Sequence, residues 1–138
     1  EVYIYMRNQY KSDIENIKRS KGAIFSAAAI LIRKFGLSFK DIEKVYIAGG
    51  FGTFLDMENA ITIGLLPDIK RSKFKFVGNS SLIGAREILL SYDTMKEAEE
   101  VARKMTYIEL SKDPAYMDEY VSSLFFPHTD LEKFPSVR

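Results

Sequence analysis

Residues 45–60 read VYIAGGFGTFLDMENA, and the prediction of fold class begins from this stretch. A β-branched run ends there in three glycines, Gly49, Gly50 and Gly52. Glycine gives up more backbone entropy on folding than any other residue, so several together indicate a turn with positive φ or a close approach to the backbone. The pattern predicts a short buried strand that stops at the glycines and is followed by a helix.

The same order of strand, glycine and helix occurs again in KFKFVGN, residues 73–79. Gly78 would close this second strand, and Asn79 would cap the next helix. TYIEL, residues 106–110, is typical of a third strand. Strands that alternate with helices indicate βαβ units, whose ligands bind in the crevice beyond the carboxyl ends of the parallel strands. We therefore expect both glycine turns to lie at one candidate site.

Apolar spacing and capping residues predict a long first helix. Ser12 and Glu15 form a capping box, and the helix that they open is expected to end at Gly36. Lys21 interrupts its apolar face, and because an unpaired buried ammonium is costly, this head group must leave the core or meet an acceptor. The apolar residues, spaced alternately three and four apart, predict a buried face made of Ile14, Ile17, Ile24, Ala28, Leu31 and Phe35.

Three further helices are predicted from their caps. Asp56 is the expected N-cap of a helix that ends before Pro67. A capping box at Thr94 opens a charged helix over 94–104, and an Asp-Pro pair opens another over 113–125. Residues 125–138 contain two prolines and no periodicity, so we expect a tail on the surface, with its single histidine in a structural role.

Composition excludes several classes of function. The 138 residues are 46% hydrophobic and 28% charged, which is ordinary for one soluble domain, and a net charge of +1 gives no field that would recruit nucleic acid or an acidic membrane. Zero cysteines and one histidine exclude thiolate or multi-histidine metal sites and a cysteine-ligated iron-sulfur cluster within these residues. Without a long apolar run or a signal-peptide pattern at EVYIYMRNQY, we expect a cytoplasmic protein.

The glycine turn admits several interpretations. The spacing of a phosphate-binding loop is absent, and the dinucleotide pattern fails because Leu55 stands where a third Gly or Ala should be. A carboxylate at Asp56 would occupy the helix amides and repel phosphate, which favours a neutral group such as adenosine. Tight packing of a strand against a helix explains the glycines equally well, so both explanations stay open.

Six segments together resemble one known family, in the same order and over nearly the whole chain. The family is the carboxy-terminal region of the reductive activators of corrinoid proteins, which resembles the ATPase superfamily of actin, sugar kinases and chaperones. The resemblance implies an α/β fold in which residues 1–138 form part of the second lobe of one actin-like, ribonuclease H-like ATPase domain, with a short sheet flanked by helices. The segments are DIENIKRSKGAI, VYIAGGFG, AITIGLLPD, FVGNSSLIGA, MDEYVSSLFFPHTD and FPSV.

The resemblance also implies a set of nucleotide-binding residues. The first glycine turn would contact adenosine, basic residues of the long preceding helix would lie beside the nucleotide, and the end of the second strand would complete the crevice. It implies no particular catalytic residue and no metal ligand. The residues are, in that order, Gly49, Gly50 and Gly52; Lys18, Arg19 and Lys21; and Gly78 and Asn79.

The function implied is the return of an inactive cobalt(II) corrinoid to cobalt(I), with ATP and Mg driving the electron transfer in the full-length protein. An iron-sulfur domain outside these residues would supply the electron to the corrinoid protein partner. The phosphate-contacting hairpins expected before the long helix are missing, so the chain resembles a fragment that does not hydrolyse ATP alone. The alternative hypothesis is an interaction module, for homodimer formation or docking of the corrinoid partner, with no nucleotide role.

Overall fold

The computed structural model describes residues 2–137, and the side chains of residues 2–8, 51 and 53 lie outside its description. The contacts divide the chain into two compact units, each described here by itself. Unit 1 comprises Glu1–Asp41, Asp56–Ile69 and Glu109–Arg138, and unit 2 comprises Ile42–Leu55 and Lys70–Ile108. The regular elements are α1 (Val2–Lys34), β1 (Val45–Ala48), α2 (Gly49–Phe54), α3 (Met57–Thr62), β2 (Phe74–Gly78), α4 (Ser80–Leu90), α5 (Tyr92–Lys104) and α6 (Tyr116–Ser122).

Unit 2 is built on the two strand-glycine-helix steps that the sequence predicts. β1 and β2 are parallel, with Val45 opposite Phe74 and Ile47 opposite Phe76. Each strand runs directly into a helix at its carboxyl end, β1 into α2 and β2 into α4. This order confirms the predicted parallel pairing.

The predicted third strand is wrong. Residues 105–109 have no regular structure, and 110–112 form a 3₁₀ turn. Tyr107, at the centre of the predicted strand, is 85% exposed. A strand needs a neighbour to take up its backbone hydrogen bonds, and the sheet in the described part of the chain consists of β1 and β2.

The first helix is longer than predicted. α1 begins at Val2, so Ser12 and Glu15 lie inside it and the predicted capping box is wrong. Its end agrees with the prediction, because Gly36 adopts a φ of 69° directly after the last turn. No glycine or proline interrupts the residues before Ser12, so nothing local stops the helix there.

The face of α1 that is buried differs from the predicted one. Ile14, Ile17, Ile24, Leu31 and Phe35 are all exposed. Apart from Lys21, the buried positions of α1 lie on a different face of the helix, and the small residues among them let the end of α6 come close. A Cβ at Gly22 would be 3.2 Å from Leu124 Cδ2. The neighbour's shape, and not the apolar spacing, therefore decides which face of α1 is buried within unit 1.

The core of unit 1 is aromatic. Phe25 lies 5.3 Å from Phe134 and 5.4 Å from Phe39, measured between ring centroids, and its centroid is 5.6 Å from that of His128. Phe134 is 0% exposed and His128 is 4% exposed. Residues 125–137 are therefore not a tail that lies wholly on the surface, because the Phe134 and His128 rings are buried in the core of unit 1.

Two side-chain caps agree with the sequence predictions. Asp56 accepts a hydrogen bond from the backbone N–H of Asn59 at 2.8 Å and caps α3. Asn79 accepts from the backbone N–H of Leu82 at 3.1 Å and caps α4. Each cap satisfies one of the amides that the first turn of a helix leaves without a partner.

The caps of α5 and α6 differ from the predictions. Ser91, and not Thr94, caps α5, by accepting from the Thr94 backbone N–H at 3.3 Å. Asp113 accepts from the backbone N–H of Ala115 at 3.0 Å, which makes a turn before α6, so that α6 is shorter than the predicted 113–125 helix. Within the described residues, no helix combines the length and the apolar character needed to cross a membrane.

Candidate functional site

The two glycine turns of unit 2 lie side by side. Ala48, the last residue of β1, is opposite Gly78, the last residue of β2. Gly49 follows with a φ of 87°, and Gly78 has a φ of 63°, a region that favours glycine. The structure thus brings both turns to the carboxyl edge of one parallel sheet, where α/β folds bind ligands.

The fold makes different demands on the three glycines of the first turn. Gly49 needs its positive φ. Gly52 is buried, and a Cβ there would be 2.8 Å from Ile47 Cγ2, so this glycine serves the packing of α2 on β1. Gly50 has neither reason, because its φ is ordinary and, among the described atoms, nothing lies within 4 Å of a Cβ built on it. The bare backbone at Gly50 is therefore open to an external group.

The Asp56 carboxylate does not cap the helix that begins at the glycine turn. Asp56 caps α3, whereas the helix that begins at the glycines is α2, whose N-cap is Ala48 without a side-chain hydrogen bond. The sequence alone could not separate these two short helices, because Leu55 and Asp56 interrupt the helix without a glycine or proline. The preference for a neutral ligand thus loses one of its supports, and the openness at Gly50 remains.

The predicted basic residues lie on α1, in unit 1, whereas the five predicted turn residues lie in unit 2. Lys18 forms an ion pair with Glu15 at 2.8 Å on the partly exposed side of the helix. Arg19 is exposed. The structure groups the turn residues at one edge of the sheet in unit 2, and within unit 1 it places Lys18 and Arg19 on a solvated side of α1.

Lys21 has a different environment from its neighbours on α1. It is 1% exposed, and its Nζ donates to the carbonyl oxygen of Phe125 and, at 2.6 Å, to that of Pro127. Burial lowers its pKa to about 8, so the side chain remains mostly protonated at neutral pH. The interrupted apolar face did signal that this ammonium needs an acceptor, but the acceptors lie 104 and 106 residues further along the chain.

A polar cluster in unit 1 was not found by sequence reasoning. Glu119 Oε1 accepts from His128 Nε2 at 3.2 Å and from Lys133 Nζ at 2.6 Å. The backbone N–H of Asp130 donates to His128 Nδ1, which leaves the ring proton on Nε2. The hydrogen bond from His128, with help from Lys133 and against the effect of burial, lowers the pKa of Glu119 to about 2. His128 thus has the structural role expected of it.

A cavity of about 410 Å³ in unit 1 contains none of the predicted site residues. Its floor is apolar, and two of its charged residues, Glu119 and Lys133, pair with each other. Its lining includes Ala29, Ile32, Leu37, Phe39, Ile69 and Pro135. The cavity therefore gives no support to the nucleotide assignment, which depends on the turns of unit 2.

Comparisons with known proteins give consistent matches. The family model described as the C-terminal domain of RACo, the ASKHA domain, matches residues 5–138. The corrinoid activation enzyme RamQ of Eubacterium limosum is 33% identical over 116 residues, which cover 84% of this chain and 20% of that protein. The Co(II) methylated amine-specific corrinoid protein reductase of Methanosarcina barkeri is 29% identical over 118 residues, covering 84% of this chain and 22% of that protein.

A solved structure, a reductive activator for corrinoid, iron-sulfur protein, matches with a TM-score of 0.86 and 54% identity over 91% of this chain and 20% of its own. The chain thus spans about a fifth of the length of the relatives that it matches. These matches confirm the family and the α/β fold class that the sequence motifs predict.

Proposed function

Since the chain belongs to the family of the RACo C-terminal ASKHA domain, we propose that it forms the adenosine-contacting part of an ATP-dependent reductive activator of a corrinoid protein. The full-length protein would couple ATP binding and hydrolysis, with Mg, to reduction of cobalt(II) to cobalt(I) in that partner. Electrons would come from an iron-sulfur domain outside these residues. A cytoplasmic location belongs to the same proposal.

The observation that carries this proposal is the open backbone at Gly50. A glycine costs conformational entropy, and packing within unit 2 gives no reason for it at this position. A flat base or a ribose could lie against a backbone without a Cβ, at the sheet edge where Gly78 and Asn79 also end a strand. The Asn79 side chain is already engaged in capping α4, so its contribution would come from its backbone and its remaining amide group.

In this proposal the chain acts by conformational coupling and carries out no chemistry itself. ATP would favour closure of the two lobes only through contacts that are tighter in the closed state. The turn residues Gly49, Gly50 and Gly52 would supply such contacts. Lys18, Arg19 and Lys21 of α1 would lie beside the nucleotide. Among these six, Lys21 has the weakest claim, because carbonyl groups of its own unit already hold its ammonium.

The test is Gly50→Val in the intact protein, with Gly84→Val as the matched control. Both positions are open, with nothing within 4 Å of a built Cβ, but Gly84 lies within α4 and away from the turns. We expect Gly50→Val to lower ATP affinity by about tenfold or more, measured by calorimetry, and to leave iron-sulfur reduction intact. Normal ATP affinity in Gly50→Val would remove the adenosine assignment.

The exposed apolar stripe of α1 supports the second candidate function, an interaction module. Ile14, Ile17 and Ile24 are each about half exposed, which is unusual for a row of large apolar side chains on one helix face. Ile17→Lys would weaken association with the corrinoid partner or with a second copy, and would leave ATP affinity unchanged, if this function dominates. Calorimetry of the intact protein with ATP, and separately with the corrinoid partner, distinguishes the two functions.

A further inference from the structure

Lys21 meets a set of partners that belong to one short segment. Its Nζ donates to the carbonyl oxygens of Phe125 and Pro127 and lies 5.4 Å from the centroid of the Phe126 ring. An ammonium has three donor hydrogens, so two carbonyls and the face of a ring satisfy it almost completely. All the acceptors that the structure gives to this buried cation thus come from three consecutive residues.

Two glycines, Gly22 and Gly64, lie in close contact with the same segment or the residue before it. A Cβ at Gly22, next to Lys21, would be 3.2 Å from Leu124 Cδ2. A Cβ at Gly64, after α3, would be 2.1 Å from the carbonyl oxygen of Pro127, and Gly64 also has a φ of 76°. The lack of a Cβ at Gly22 and Gly64 therefore lets Leu124 and the Pro127 backbone approach these two positions closely.

The residues after Pro127 include two of the core rings of unit 1. His128 follows Pro127 directly and is fixed by Glu119, and Phe134 closes the aromatic cluster on Phe25. Ser136 then donates from its backbone N–H and its hydroxyl to the Asp68 carboxylate, at 2.6 and 2.7 Å. The position of the Phe125–Pro127 backbone therefore decides whether both rings reach the core.

We propose that Lys21 anchors the segment 125–134 to α1 through its contacts with Phe125, Phe126 and Pro127. The anchor acts through carbonyl groups, so it fixes the backbone of the segment and leaves the side chains of Phe125 and Phe126 outside. Those two rings are 57% and 47% exposed.

The test is Lys21→Met in the intact protein, with backbone hydrogen exchange read over residues 123–134. Methionine keeps most of the apolar stem and removes every donor, so two buried carbonyls lose their partner. We expect exchange in this segment to become about tenfold faster or more, with exchange over 74–90 in unit 2 unchanged. The control is Lys18→Met, one turn earlier on α1, whose ammonium pairs with Glu15 near the surface and whose loss should leave the segment unchanged.

The result that overturns the anchor is unchanged exchange over 123–134 in Lys21→Met, whether or not ATP affinity falls. If Lys21→Met does not fold, Lys21→Arg decides, because it keeps a cationic donor: protection near that of the unaltered protein supports the anchor, and rapid exchange overturns it. The exchange measurement needs no nucleotide, so its failure is distinguishable from failure of the adenosine assignment at Gly50.

Discussion

Acid should loosen the C-terminal part of unit 1 through one carboxylate, Glu119. Its side chain is 12% exposed and accepts hydrogen bonds from His128 and Lys133. These partners favour the ionised form and lower the pKa from an ordinary 4.5 to about 2. The difference of about 2.5 between the two values corresponds to about 3 kcal/mol of stability, since each pKa unit is worth about 1.36 kcal/mol.

The lowered pKa of Glu119 means that its contribution to stability is lost in acid. The unfolded chain binds a proton near pH 4.5, whereas the folded chain resists it until about pH 2. The stabilisation is therefore fully present above pH 4.5 and is lost as the pH falls from 4.5 towards 2. Glu119→Gln resembles the protonated carboxyl in shape and charge, so the substitution and acid remove the same interaction.

The assay is backbone hydrogen exchange over residues 115–134, with rates corrected for the intrinsic effect of pH. At pH 6, we expect Glu119→Gln to lower the protection of this segment by about a hundredfold, the equivalent of about 3 kcal/mol. The difference from the unaltered protein should shrink to near zero at pH 2. The control is Asp118→Asn, which alters the exposed carboxylate adjacent to Glu119 on α6 and should change the protection of the segment little.

Two outcomes would refute the reasoning about Glu119. Equal protection of the variant and the unaltered protein at pH 6 would mean that the cluster with His128 and Lys133 adds no net stability. A difference that persists undiminished at pH 2 would mean that the variant acts through packing and not through loss of charge.

Two further predictions concern the packing of unit 1. Gly64→Ala should destabilise the folded state by about 2 to 5 kcal/mol, because the new Cβ combines a positive φ with a contact of 2.1 Å to the Pro127 carbonyl oxygen; an unchanged urea midpoint would contradict this geometry. Phe134→Ala should cost about 3 to 5 kcal/mol by leaving a cavity in the aromatic cluster, whereas Phe134→Leu should cost less; equal losses in urea unfolding would show that the ring's volume is not what matters.

Local patterns predicted the elements whose causes are local. Asp56 and Asn79 cap helices as expected, and Gly36 and Gly78 adopt the positive φ that ends a helix and a strand. These features depend on residues within one turn of each other, so the sequence carries all the information that they need. The prediction of the α5 cap failed because Ser91 and Thr94, three residues apart, are both residue types that cap helices.

The candidate site was predictable in part for the same reason. Strand, glycine and helix repeat in order, and parallel pairing of β1 and β2 then places Gly49 beside Gly78. The separate reasons for the three glycines were not predictable. They required knowing that Ile47 lies against Gly52 and that no described atom lies against Gly50.

The sequence by itself determined the family, the two strands, their parallel order and the glycine turns at their ends, because these are encoded by neighbouring residues and by motifs that occur in order. Only the tertiary structure decided which face of α1 is buried, whether residues 106–110 pair as a strand, and where the ammonium of Lys21 lies. Each of these depends on groups far away in the chain. The carbonyl acceptors of Lys21 are 104 and 106 residues distant, and no local pattern can specify a partner that only folding brings within 3 Å.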